Sequence, residues 1–154
     1  MNLEGDKIST SKNWAVWVSE FLENNPESSD QMRYVLTSIM PEQKDSEFTW
    51  NDYRDRINNE LADVLGNFVN RVLVLTRKYY EGAVPAIPEG QELTQVDTSL
   101  IHELESASEK IGALILRFRF REAQLEAMNI ARKGNKYLTE EEPWKLQKTD
   151  SERV

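Results

Sequence analysis

Asn67 and Arg71 stand four residues apart in this 154-residue chain, so a helix through them puts both on one face, a turn apart. An amide and a guanidinium in that relation offer a directed set of donors and one acceptor, which suits the edge of a nucleobase. Trp144 follows Pro143. A tryptophan held at a helix start can stack on an unpaired base, the usual way single-stranded RNA loops are read. Each feature has a plainer alternative: interhelical hydrogen bonding or a solvated flank for the pair, and a core or capping role for the tryptophan.

A second candidate lies at the front of the chain, where Lys7, Ile8, Ser9, Thr10 and Ser11 run into Lys12 and Asn13. Small hydroxyl residues let a backbone approach a phosphate, and lysine ammonium groups offset its charge. A solvated terminal arm has the same composition. Arg117, Arg119 and Arg121 could touch phosphates, or pair with the many carboxylates. His102 has no partner arrangement that marks a nucleophilic site and reads as a solvated helix residue. Glu140, Glu141 and Glu142 read as charge favoured by the dipole at a helix N-terminus.

Helices must position these groups. Trp14, Trp17, Val18 and Phe21 recur at helical spacing until Asn24-Asn25-Pro26 stops the pattern. Ser28 and Gln31 have capping-box spacing, and Met32, Val35, Leu36 and Ile39 form one face ending before Pro41. The strongest pattern starts at a cap formed by Thr49 and Asp52. It carries Ile57, Leu61, Val64, Leu65, Phe68, Val72, Leu75 and Tyr79 on one stripe and stops at Gly82. It predicts a single helix of about nine turns. Residues 83–95, with Pro85, Pro88 and Gly90, read as a loop, and Thr94 with Asp97 caps the next helix. Leu100, Leu104, Ala107, Ile111, Leu114, Ile115 and Phe118 form its stripe, and Arg117 to Arg121 marks a junction or a continuing helix. Ala123, Ala127, Ile130, Ala131 and Tyr137 make a further face whose small residues permit close approach. Thr139 and Glu142 then mark a fresh helix start, with Pro143 in its first turn. The end, Lys148 to Val154, is charged and reads as frayed. The expected architecture is an all-α antiparallel helical bundle.

Bulk properties narrow the function classes. The chain has no cysteine and one histidine, His102, which excludes disulfides, cysteine zinc sites and a histidine-rich metal site. A reducing, cytoplasmic setting fits, no apolar run reaches the ~18 residues of a membrane span, and no signal-peptide pattern opens the chain. The net charge is −8, unfavourable for nonspecific nucleic-acid binding but compatible with a local surface that makes a few specific contacts.

Taken in order, several segments resemble one enzyme family. Lys7-Ile8-Ser9-Thr10-Ser11-Lys12-Asn13-Trp14-Ala15-Val16 resembles the "KMSKS" signature loop of class I aminoacyl-tRNA synthetases and its exit. Phe48-Thr49-Trp50, Asn58-Asn59-Glu60-Leu61-Ala62, Gly66-Asn67-Phe68-Val69-Asn70-Arg71, Asn135-Lys136-Tyr137-Leu138 and Glu142-Pro143-Trp144 follow in the order and spacing of methionyl-tRNA synthetases. The resemblance implies a truncated bundle of the class I anticodon-binding type. Residues 1–13 would be the signature loop and connector, 14–48 a helical linker of the stem-contact type, and 49–154 an incomplete anticodon-binding bundle. It implies that Lys7, Ile8, Ser9, Thr10 and Ser11 close on ATP, that Thr10 replaces the family's common second lysine, and that Lys12 is a candidate phosphate contact. It implies that Asn67 and Arg71 hydrogen-bond the first base of a CAU anticodon and that Trp144 stacks on it. The implied partners are methionine tRNA and a catalytic domain absent from this sequence, with no DNA and no membrane. The resemblance implies that ATP is used by the full enzyme, that its missing part is where a zinc could sit, and that this stretch binds neither a cofactor nor a metal of its own. Lacking the methionine pocket and most of the ATP site, the stretch alone should not activate methionine.

Two competing readings make different demands. A helical protein-interaction module would use the apolar stripes and acidic surface and show no anticodon preference. A class I synthetase of another amino-acid specificity would not need Asn67, Arg71 and Trp144 together.

Overall fold

In the computed structural model, the described residues are 1–87, 90–151 and 153. Pro88 of the predicted loop, and Glu152 and Val154 of the predicted frayed end, lie outside them. The order is β1 (Asn2–Leu3), β2 (Asp6–Lys7), α1 (Val18–Asn24), α2 (Ser29–Ser38), β3 (Glu47–Phe48), α3 (Trp50–Arg56), a π-helical segment (Ile57–Gly66), α4 (Asn67–Tyr80), α5 (Gln95–Leu116), α6 (Phe120–Glu141) and α7 (Pro143–Thr149). The chain is predominantly helical, as the periodicity predicts. None of the described helices is long and apolar enough to cross a membrane.

The front of the chain departs from the expected arm. β1 pairs antiparallel with β2 and parallel with β3, giving a small sheet in the order β2-β1-β3. Two-residue strands are too short to show alternation in a sequence. They exist because Leu3 and Phe48 need cover, and both are buried with Met32, Val35 and Ile39 of the α2 region in one core. Helix α1 starts later than Trp14 because Trp14 is tied back. Its backbone exchanges two 2.9 Å hydrogen bonds with Ser9, and its indole N–H donates to the Leu3 carbonyl at 3.2 Å.

Caps set the ends of the long elements. The Thr49 hydroxyl accepts from the Asp52 amide at 3.0 Å, and Thr94 and Asp97 form a reciprocal capping box. Ser28 does not cap α2 through its side chain, although its spacing to Gln31 suits a box. Glu81 (φ 54°) and Gly82 (φ 87°) both adopt left-handed backbone at the end of α4, a stop that glycine eases. The predicted helix from Thr49 to Gly82 is continuous, but its middle ten residues are π-helical. Hydrophobic spacing does not distinguish the wider i→i+5 turn from an α-turn over so short a run.

Helix α6 packs against α5, the π segment, α2 and α4, and so forms the spine. Its buried residues are Ala123, Met128, Ala131 and Gly134; of the face read from the sequence, Ala123 and Ala131 are buried, Ile130 and Tyr137 are partly buried, and Ala127 is exposed. The rest of the stripes is thinly covered: Leu65 is 39% exposed, Leu104 46% and Phe118 74%. Of the Arg117–Arg121 stretch, residues 117–119 form a junction with Phe118 in left-handed backbone (φ 57°), and Phe120 and Arg121 open α6.

Candidate nucleic-acid interface

The π segment delivers Asn67 as the first residue of α4, and Arg71 follows one turn later. Helix α6 runs alongside and presents Asn135 and Thr139, also one turn apart. The close approach of the two helices depends on Gly134. A Cβ there would lie 2.9 Å from Cδ2 of Phe68 and closer still to Cε2 and Cζ of the ring.

Hydrogen bonds link the two pairs. Asn67 Nδ2 donates to Asn135 Oδ1 at 3.3 Å. Arg71 Nη1 donates to the Asn135 carbonyl at 3.1 Å and to Asn135 Oδ1 at 3.2 Å, and Nη2 donates to Thr139 Oγ1 at 3.2 Å. The Thr139 hydroxyl donates back to the Asn135 carbonyl at 2.8 Å. Thr139 therefore lies within α6 and serves the site, where its spacing to Glu142 had predicted a helix start. The break comes at Glu142, whose left-handed backbone (φ 45°) turns the chain into α7 with Pro143 in the first turn.

That turn carries Trp144 to the site. The Arg71 guanidinium carbon lies 5.8 Å from the centroid of its ring, within cation–π range. Trp144 remains 36% exposed, so part of this residue is open beside an Arg71 that is half-buried and an Asn67 that is exposed. Sequence-predicted Asn67, Arg71 and Trp144 thus meet on one surface. Asn135 and Thr139 had no predicted role there. The available signal was a pair of polar side chains at i, i+4, with Asn135 four residues beyond Ala131 on a small-residue face.

A charged lock lies on the other flank of α6. Asp97, 7% exposed, accepts from the Tyr137 hydroxyl at 2.6 Å and from Arg153 Nη1 at 2.9 Å, and Arg153 also pairs with Glu141. Burial alone would raise the Asp97 pKa, but hydrogen bonds from Tyr137, Arg153 and Thr94 outweigh it and hold the carboxyl well below the usual range. Arg153 is therefore anchored, against the expected fraying. Burial, reinforced by the Asp97 carboxylate, raises the Tyr137 hydroxyl. Likewise burial and the Glu60 carboxylate, which accepts its proton, push Tyr34 up to about 12.

The other candidates separate from this surface. Glu140, Glu141 and Glu142 sit at the end of α6, not at a helix start. There the dipole disfavours them, and Lys136, Arg153 and Lys145 pair with them instead. Arg119 pairs with Glu122, and Arg121 Nε donates to the Ser38 carbonyl at 3.1 Å. His102 is exposed on α5. At the front, Lys7 ends the sheet and residues 9–14 form a tight turn. Thr10, Ser11 and Lys12 project at its exposed tip, and the Asn13 side chain accepts from the Trp17 indole at 2.9 Å. No group of three or more potential metal ligands occurs among the described residues.

Known proteins match both halves. The family model described as tRNA synthetases class I (M) matches residues 1–73, and that described as the anticodon binding domain of methionyl tRNA ligase matches residues 87–154. The methionine–tRNA ligases of Bacteroides fragilis and Christiangramia forsetii are each 57% identical to this chain over all 154 residues. The chain belongs to the methionyl-tRNA synthetase family. It spans 22% of the length of those two relatives. The Mycobacterium tuberculosis methionyl-tRNA synthetase in complex with methionyl-adenylate superposes with a TM-score of 0.81 and 27% identity, over 99% of this chain and 29% of that one. A second structure of that synthetase, bound by methionyl-adenylate, gives 0.83 at 25% identity. In methionyl-tRNA synthetase terms, the surface made by Asn67, Arg71 and Trp144 falls across both matched segments. Arg71 lies near the end of the first and Trp144 lies within the second.

Proposed function

We propose that this chain is the anticodon-reading part of a methionine–tRNA ligase, and that Asn67, Arg71 and Trp144 read the first base of a CAU anticodon. The observation that carries the reading is the contact of Arg71 with the half-exposed Trp144 ring, one turn from an exposed Asn67. A base stacked on Trp144 brings its edge to the guanidinium and the amide, and a cytosine offers those donors its O2 and N3 acceptors. Residues 49–154 form the reading bundle, 14–48 the linker, and 1–13 the loop that meets ATP phosphates in the whole enzyme. Lys7, Ile8, Ser9, Thr10 and Ser11 form that loop, and Lys12, at the exposed turn tip, is the nearest cation to replace the lysine that Thr10 lacks. Methionine activation, ATP use and the catalytic domain belong to the whole ligase.

The test is fluorescence-anisotropy binding, at one stated salt concentration, to hairpins carrying CAU or UAU in the loop. The expected result is tighter binding to CAU, with Arg71→Ala relaxing the preference more than it weakens binding to UAU. Equal losses on both hairpins would mean that Arg71 touches a phosphate. Equal binding of the unmutated chain to both would remove the anticodon reading and favour an unspecific surface. The exposed apolar residues of α4 and α5 would then favour the protein-interaction alternative.

A further inference from the structure

Asn135 is hydrogen-bonded to both Asn67 and Arg71. Its Oδ1 accepts from Asn67 at 3.3 Å and from Arg71 at 3.2 Å, and its main-chain carbonyl accepts from Arg71 at 3.1 Å. Its Nδ2 donates to the Val64 carbonyl at 2.9 Å. Val64 belongs to the last turn of the π segment, where the ladder changes register. There the Asn67 amide is shared between the carbonyls of Ala62 and Val64. The Val64 bond settles the orientation of the amide. Rotated by half a turn, Asn135 would aim N–H groups at the Arg71 and Asn67 donors and its oxygen at a carbonyl.

From this geometry we propose that Asn135 is a positioning residue for the first anticodon base, a role that rests on the reading proposed above. The bond to Val64 turns the side-chain oxygen toward α4, and that oxygen with the carbonyl behind it sets the spacing of Asn67 and Arg71. Thr139 completes the hold on Nη2 and leaves the guanidinium beside Trp144. Asn135 touches no base. It acts through the two residues that do.

The test is a mutant cycle on the same CAU and UAU hairpins, with folding of every variant checked by circular dichroism. Asn135→Ala should lower the CAU preference about tenfold, the scale of one directed base contact, and change UAU affinity less than about twofold. Combined with Asn67→Ala and Arg71→Ala, it should change nothing further, because a residue that acts only through two others is silent without them. Asn135→Asp keeps acceptor oxygens for Asn67 and Arg71 but loses the N–H that the Val64 carbonyl accepts and sets a carboxylate oxygen against that carbonyl, so it should lower the preference as well. It also supplies the test if the alanine variant does not fold. A chain in which Arg71→Ala relaxes the preference but Asn135→Ala leaves it intact overturns the positioning role and spares the anticodon reading. So does a loss that persists when Asn67 and Arg71 are both alanine, or a folded Asn135→Asp that keeps the full preference. A parent chain with no CAU preference overturns both.

Discussion

Gly134→Ala separates intrinsic helix preference from the packing that shapes the site. In an exposed helix the change would stabilise the protein by about 1 kcal/mol. Here the new methyl would meet the Phe68 ring, at 2.9 Å from Cδ2 and closer at two further carbons, where ordinary contact begins at 3.4 Å. Relieving that overlap needs about half an ångström of movement at the most distant of the three atoms and more at the other two. Phe68 is only partly exposed and sits one residue from Asn67, so either the ring turns or α6 moves away from the base-reading pair. Overpacking of this kind costs about 1–3 kcal/mol. Set against the helix gain, the net effect is a loss of up to about 2 kcal/mol, or a fall in melting temperature of up to about 8 °C at ~2–4 °C per kcal/mol. Thermal melts followed by circular dichroism would measure it. Because α6 also carries Asn135, CAU preference should fall with stability, and adding Phe68→Leu should recover part of both. A Gly134→Ala chain about 1 kcal/mol more stable than the parent, with unchanged RNA preference, would refute the argument, since the methyl would then fit without moving either helix.

Two further outcomes follow from named contacts. Trp144→Ala removes the exposed aromatic surface and should weaken CAU hairpin binding by about 1–3 kcal/mol in a folded chain; unchanged affinity would remove stacking from the reading. Asp97→Asn keeps the side-chain size but turns an N–H donor toward Tyr137 or Arg153, and breaking one side of a buried pair costs about 3–5 kcal/mol at neutral pH. Because folding depresses the Asp97 pKa, its contribution is full above the unfolded value near 3.9 and is lost as pH falls through the folded value. The stability gap between parent and variant should therefore narrow progressively below about pH 4, and a gap that stays constant down to pH 2 would show that Asp97 is not the titrating group.

Residues with a local physical signature were legible in the sequence, and those defined by a neighbouring helix were not. Thr49 with Asp52 and Thr94 with Asp97 carry their helix starts within four residues, and both caps form. Ser28 has the same spacing to Gln31 and does not cap with its side chain, because a hydroxyl's choice of partner depends on the local backbone as well as on spacing. The strand at residues 47–48 pairs with residues 2–3 across more than forty residues, so no local window contains that pairing, and the hairpin of residues 2–3 with 6–7 is too short to show alternation. Asn67, Arg71 and Trp144 could be named because an amide, a guanidinium and an aromatic ring suggest base recognition by type. Asn135 and Thr139 are ordinary helix residues until Arg71 is set against them. Thr139 was misread for a related reason: its hydroxyl has a partner within the helix, the Asn135 carbonyl, and spacing alone does not separate that role from a cap.

If the proposed anticodon reading holds, the acidity of the chain gives this fixed geometry its purpose. With a net charge of −8, the long-range field opposes the approach of RNA, so the general phosphate attraction that drives most nucleic-acid binding is weak here. Discrimination must then come from a few short-range contacts, each of which loses value if its side chain must first be ordered. Fixing a mobile side chain at an interface costs about 0.5–1.5 kcal/mol, comparable to the gain from a base contact. Arg71 avoids much of that loss, because three hydrogen bonds and the Trp144 ring already fix it in the free chain. All three bonds use its terminal nitrogens Nη1 and Nη2, and the acceptors belong to α6, the spine against which the π segment and α4 also pack. The base-reading residues are thus held by the most extensively packed element of the fold, while the surface they present stays open. On the proposed reading, that arrangement would let an acidic chain discriminate a base without general affinity for RNA.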